Sequence, residues 1–261
     1  MKITKLFLTT VFAAFALTIN AQEQDNSAIE LAKMSQNPLS NMMSFPFQNN
    51  TTFNIGEDDR TSNVFNIQPV LPFFGGKLIT RTILPVVSSP VGQNSSVSGV
   101  GDITFTAFYA PSKNPSFVWG VGPALVIPTN NDVSMRKWSA GPSFVILKIA
   151  KKLVYGVVMN NIWSFAGDET ANDFNSMMFN PFASINFKKG WYATSGPIAT
   201  ANWEASSGNQ WLIPVGGGGG KIVKIGKIPF NLQVQAFYNA VKPDASGDFS
   251  TRFQIQMMLP K

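Results

Sequence analysis

The chain has 261 residues with no cysteine and no histidine, which excludes a disulfide-stapled scaffold, a lipoprotein anchor, a Ser-His-Asp triad and any thiolate or imidazole metal site. Only 13% of its residues are charged, about half the roughly 25% usual in soluble domains, while phenylalanine (22) and tryptophan (6) are plentiful. The net charge of +6 is spread along the chain rather than gathered into a patch, which argues against a nucleic-acid surface.

In chain order, Lys2 and Lys5 form a basic n-region, Leu6 to Ile19 an uncharged h-region, and Ile19-Asn20-Ala21 sets a small residue before Gln22. This pattern predicts a secretory signal over 1–21. It is too short for a bilayer-spanning helix, which needs about 20 apolar residues, and no later stretch reaches that length. Without Lys2 and Lys5 there remain 18 basic and 14 acidic side chains, a net charge of +4. Residues 22–40 form an N-terminal segment. Ser27-Ala-Ile-Glu30 matches a capping box, Ile29, Leu31, Ala32 and Met34 suit one short amphipathic helix, and Asn37-Pro38 would end it. Two roles are open for it: a periplasmic extension, or a plug folded into a barrel.

Residues 41–261 read as about twelve strand-length segments. Six connections look long (56–62, 88–98, 129–136, 166–176, 205–209 and 242–249). Five look short (Gly75-Gly76, 111–115, Lys151, Lys189-Gly190 and 224–227), and the two kinds alternate. An even strand count with short periplasmic turns and long external loops is the rhythm of an outer-membrane barrel. Lysines 77, 113, 151, 152, 188, 189, 224 and 227 fall at the short turns, whereas Glu57, Asp58, Asp59, Asp132, Asp168, Glu169, Asp173, Asp244 and Asp248 fall in the long loops. That sign separation fits two different rims.

Period-two alternation supports the strands. In 228–241, Phe230, Leu232, Val234, Ala236 and Tyr238 oppose Asn231, Gln233, Gln235 and Asn239. In 250–259, Phe253, Ile255 and Met257 oppose Arg252, Gln254 and Gln256. In 63–73, Phe65 and Ile67 oppose Asn66 and Gln68. The polar faces are uncharged amides rather than the Lys and Glu of a solvated sheet, and the strands run to 10–14 residues. Both features favour a membrane barrel over a soluble sandwich. Aromatic residues near strand ends, among them Phe73, Tyr109, Trp119, Trp138, Trp163, Trp191, Trp203 and Trp211, fit interfacial girdles. Gly122-Pro123, Gly141-Pro142 and Gly196-Pro197 read as bulges or kinks that curve the wall. The run Gly216–Gly220 lacks the first glycine and the Ser/Thr of a phosphate loop, so it reads as close backbone approach or a tight bend.

The predicted fold is all-β: a single antiparallel transmembrane β-barrel of about 12 strands with a short N-terminal helix. Strand parity turns Arg81, Asp102, Arg252, Asn66, Gln68, Asn231, Gln233, Gln235, Gln254 and Gln256 toward the lumen, where the three charges avoid a lipid penalty of about 2–4 kcal/mol each. These side chains would either bond one another in a closed core or line a path for a small, mainly uncharged solute. No catalytic, metal or cofactor set is evident, and an enzyme is not expected. The expected partners are outer-membrane lipid, a small-molecule solute and the barrel assembly machinery, with no nucleic acid. The rival reading is a closed structural or surface-interaction barrel without transport.

The segments Gln36-Asn37-Pro38, Pro46-Phe-Gln-Asn-Asn50, Leu78-Ile-Thr-Arg-Thr82, Gly99-Val-Gly-Asp102, Trp119-Gly-Val-Gly-Pro123, Trp138-Ser-Ala-Gly-Pro142 and Trp211-Leu-Ile-Pro-Val-Gly216 carry a resemblance. They are similar to the outer-membrane family of the meta-pathway of phenol degradation, whose members are labelled "transporter" or "neuromedin U". The resemblance covers essentially all of 28–261. It implies a monomeric β-barrel of the bacterial outer membrane acting as a passive channel or binding transporter, with hydrophobic or aromatic solutes suspected. It brings no catalytic residues.

Overall fold

The computed structural model describes residues 25–259 except 93, 113 and 245. The expected signal at 1–21 lies outside the described residues, as does Lys113 among the turn lysines. Helix α1 (Asp25–Gln36) precedes the strands β1 (Met43–Ile55), β2 (Arg60–Ile67), β3 (Val70–Phe73), β4 (Leu78–Val91), β5 (Ser95–Val100), β6 (Ile103–Tyr109), β7 (Phe117–Ile127) and β8 (Lys137–Ile149). The wall continues with β9 (Leu153–Gly167), β10 (Asn175–Asn186), β11 (Trp191–Ser195), β12 (Ala199–Asn202), β13 (Trp211–Ile225), β14 (Ile228–Val241) and β15 (Phe249–Leu259). β2 with β3, β5 with β6, and β11 with β12 are each one wall strand interrupted by a bend, so the barrel has twelve staves. All pairings are antiparallel between chain neighbours. β1 closes the ring on β15, from Met43 opposite Leu259 to Phe53 opposite Phe249. Closure matters because an unpaired backbone edge at bilayer depth would cost several kcal/mol per group.

Alternation sets the two faces as expected in β14: Asn231, Gln235 and Asn239 are buried, while Val234 and Tyr238 are exposed. The exposed belt is apolar, and exposed aromatic residues mark both of its rims. Phe73, Phe74, Tyr109, Phe117 and Trp191 lie toward the end that carries the chain termini; Trp138, Trp163, Phe165, Trp203 and Tyr238 lie toward the other. Where amides do face outward they satisfy each other: Asn49 and Asn63 each donate to the other's carbonyl at 3.0 Å. A closed antiparallel barrel with this belt is a protein of the bacterial outer membrane, in contact with its lipid.

Three details depart from the sequence reading. The connection expected at 88–98 is mostly strand. Ser88 to Val91 pair with Ser98 to Ser95, and Arg60 clamps the tip by donating to the carbonyl of Gly92 at 2.6 Å and to Ser96 at 3.0 Å. Its serines and Pro90 read as loop because this hairpin lies beyond the apolar belt. The expected short connection at 111–115 instead spans 110–116, so the two ends differ less in loop length than the spacing implied. Helix α1 begins by Asp25, which places Ser27 inside the first turn rather than at an N-cap.

Two of the three Gly-Pro pairs lie within continuous strands, Gly122-Pro123 in β7 and Gly141-Pro142 in β8. Pro123 faces Pro142 across the β7–β8 seam, so neither can donate to the ladder. A Cβ on Gly122 would lie 1.7 Å from the carbonyl oxygen of Ala107, and one on Gly141 would lie 1.8 Å from that of Asn161. Gly196-Pro197 separates β11 from β12.

Candidate functional site in the barrel lumen

The inner surface is two-sided. Along β7 and the halves of β8 and β9 nearer the chain termini both faces of the wall are apolar, whereas Ser139 and Ser143 are buried farther along β8. Val145, Leu147, Val154 and Val158 point inward with Ile79 and Phe108 and form one buried cluster, while Phe144, Ile146 and Tyr155 face outward. The opposite arc, β14, β15, β1 and β2, carries the amides, joined by Asn180 and Asn186 of β10. A cavity of about 280 Å³ lies between the two arcs. Its polar lining includes Asn66, Gln68, Arg81, Asn231, Gln233 and Gln235, with Arg252, Gln254 and Gln256 beside them. Val158, Phe182, Ile83 and Val70 line it from the apolar side.

Hydrogen bonds hold the polar arc in place. Arg81 donates to the carbonyl of Gln68. The Nε of Arg252 donates to Asn50 at 3.1 Å, and one terminal nitrogen donates to the carbonyl of Gly196 at 2.9 Å. The same guanidinium lies 5.0 Å from the centre of the Phe237 ring. Asn231 donates to Gln256 at 3.1 Å and accepts from the hydroxyl of Tyr192 at 2.6 Å. The glycine run makes room for this bond. A Cβ at Gly220 would fall 2.2 Å from the Tyr192 oxygen, so the run is a close approach, as its composition suggested. Gln235 is 3% exposed, and its Oε1 has no hydrogen-bond partner.

Asp102 lies elsewhere. It holds the 128–136 loop, accepting from the backbone of Thr129 at 3.1 Å and of Met135 at 2.8 Å. The break between β5 and β6 falls at Gly101-Asp102, so parity carried across it does not apply. Sequence reasoning missed Gln48 and Asn50, which line the polar arc from β1 and pair with Gln254 and Arg252. Continuing the period of two from Ser44 and Pro46 would have found them. It also missed the carbonyl of Gly196, which carries no side-chain signal.

A second cavity of about 330 Å³ lies toward the loops, lined by Thr52, Ser62, Leu212, Phe237, Asn239 and Gly247 among others. Arg252 and Ile198 border both cavities. At the other end, residues 34–42 close the first cavity. Ala28 and Ala32 of α1 are buried, Gln36 and Asn186 exchange amide hydrogen bonds at 2.8 and 3.0 Å, and Leu39 packs into the apolar cluster. Among the described residues, no group of three or more Asp or Glu is placed to hold a metal ion.

Comparison with known proteins places this architecture. The COG4313 outer membrane channel from Pseudomonas putida F1 superposes with a TM-score of 0.61 at 16% identity, covering 84% of this chain and 94% of that one. The NanC porin superposes with a TM-score of 0.55 at 8% identity, covering 84% of this chain and all of that one, 100%. These similarities are of fold. No curated protein matches the sequence. Residues 46–211 match the model of the family described as "Putative MetA-pathway of phenol degradation", and the chain belongs to that family.

Proposed function

We propose that the barrel is a passive channel or binding transporter that admits small solutes through its lumen. The observation that carries this reading is the pair of cavities within the barrel, both bordered by Arg252 and Ile198. Amide side chains offer hydrogen bonds to a solute there in place of water, and the facing arc offers apolar contact. Similarity of fold to a channel and a porin supports the same reading. No catalytic step enters it. The protein works as a monomer delivered by the barrel assembly machinery. Liposomes carrying the purified protein should swell in small sugars, amino acids or aromatic solutes. Absence of flux for every solute in the panel would reject passage.

One observation favours a second reading, a closed structural barrel: the N-terminal segment fills the end that carries the termini. In that case full-chain protein gives no flux, and loosening the segment does not create any.

A further inference from the structure

The sequence offered a path for a mainly uncharged solute with Arg81, Asp102 and Arg252 facing it, but the cavity holds the two guanidinium groups without Asp102. Among the described residues no Asp or Glu lines it. The ion pairs among the described residues, Lys33 with Glu30, Arg136 with Asp168, Lys137 with Asp173 and Lys242 with Asp248, all lie outside it. Arg81 and Arg252 line the same cavity. They stand on β4 and β15, with β1 and β2 between them. Each guanidinium has five donors in a planar fork. Arg81 directs one to Gln68, and Arg252 directs two to Asn50 and Gly196. Every one of these acceptors is neutral, so the charges are solvated by dipoles but not compensated. A charge taken from water and left unpaired is expensive, and two in one enclosed space more so.

A second observation lies beside the first. Gln235, opposite Arg252 in the β14–β15 register, has a buried Oε1 without a donor. An anionic solute in this space would compensate the first deficit, and a hydroxyl on it or a water would supply the donor that Gln235 lacks. The rest of the cavity wall, Val158, Phe182 and Ile83, is apolar. At about 30 Å³ per water, the cavity's 280 Å³ corresponds to roughly nine waters.

We propose that Arg81 and Arg252 bind the carboxylate of a small organic acid whose apolar body lies against Val158, Phe182 and Ile83. This deepens the passage reading and rests on it. Planar, bidentate donors match a carboxylate in a way that amides do not. The anion then neutralises the pair.

The test uses the full chain in detergent, titrated by calorimetry with benzoate, its neutral counterpart benzamide and the cation benzamidine. Benzoate should bind at least about tenfold tighter than benzamide, and benzamidine should not bind. Arg81→Gln and Arg252→Gln should each lower benzoate affinity about tenfold and leave benzamide unchanged, and the double variant should show no preference. Equal affinities in the wild type, or a preference that survives in the double variant, overturns the proposal. Heat-modifiable migration in gels reports folding of each variant. Should one fail to fold, wild-type protein in a planar bilayer under a KCl gradient still decides: an anion-selective reversal potential supports the site, and a cation-selective or unselective one overturns it. The two readings fail separately. Benzoate binding without flux rejects passage and upholds the site. Equal flux of benzoate and benzamide with no binding preference upholds passage and rejects the site.

Discussion

Tyr192 shows how a single side chain organises the polar arc. Its ring is buried and its hydroxyl donates to Asn231, itself 2% exposed and bonded onward to Gln256. Tyr192→Phe keeps the ring and leaves the Asn231 carbonyl without that donor, which should cost about 1–3 kcal/mol. Gly220→Ala acts on the same bond from the other side, because the new methyl falls on the tyrosine oxygen and ring. Forcing it in should cost about 1–3 kcal/mol, read as the midpoint of guanidinium unfolding in lipid vesicles. Equal stability of either variant and wild type would show that the bond is dispensable. Legibility at this scale followed cost. Arg81 and Arg252 could be assigned inward from sequence because a guanidinium facing lipid is expensive. Asp102 could not, since its parity was carried across a break that no residue type announces. The unpartnered oxygen of Gln235 depends on what surrounds it, which no single strand reveals.

The elements at the two ends of the lumen each have a fastening that can be undone. At the end with the termini, Leu39 is 5% exposed inside the apolar cluster, and Gln36 shares two amide bonds with Asn186. Leu39→Ala removes buried methyl groups from this contact, worth about 2–5 kcal/mol of local packing. Combined with Gln36→Ala, it should raise single-channel conductance in planar bilayers while leaving the wall folded; unchanged conductance would mean that the segment does not limit passage. At the loop end, Lys242 donates to Asp248 and Asn54 adds a weaker contact, so the Asp248 carboxyl sits below the usual aspartate range. The sign follows from that depression. The fastening is complete at neutral pH and is lost as pH falls below about 4 through the folded-state value. Asp248→Asn imitates the protonated group at neutral pH and should speed amide exchange in 242–248 without affecting β14 or β15. The helix at 25–36 was legible from the spacing of Ile29, Leu31, Ala32 and Met34 and from its Asn37-Pro38 stop. The seat of Leu39 against the wall was not, because Leu39 meets partners from β4, β6, β8 and β9, far away in sequence.

At the scale of the whole barrel, one question decides the assignment: which surface meets lipid. Strands β14 and β15 answered it in the sequence, because amides alternate there with aliphatic and aromatic side chains. Strands β7 to β9 could not, since Val145 and Leu147 inside and Phe144 and Ile146 outside are equally apolar. Near the termini their interior packs against Leu39 and Phe108, so apolar side chains suit both faces there, and the buried Ser139 and Ser143 of β8 come farther along. The bilayer still tells the faces apart energetically. Val234 and Gln233 are neighbours at the middle of β14. Val234 is 57% exposed on the outer belt, and Gln233 lines the cavity. Val234→Arg should lower stability by about 2–4 kcal/mol in lipid vesicles, whereas Gln233→Glu, which sets a carboxylate in the cavity of Arg81 and Arg252, should cost less and act instead on ion selectivity. In detergent that leaves water near the belt the difference should shrink, because the penalty belongs to the acyl chains and not to the fold. If both substitutions cost the same, or if Gln233→Glu costs more, then the amide face meets lipid, and the lumen, its cavities and the arginine pair all lose their place.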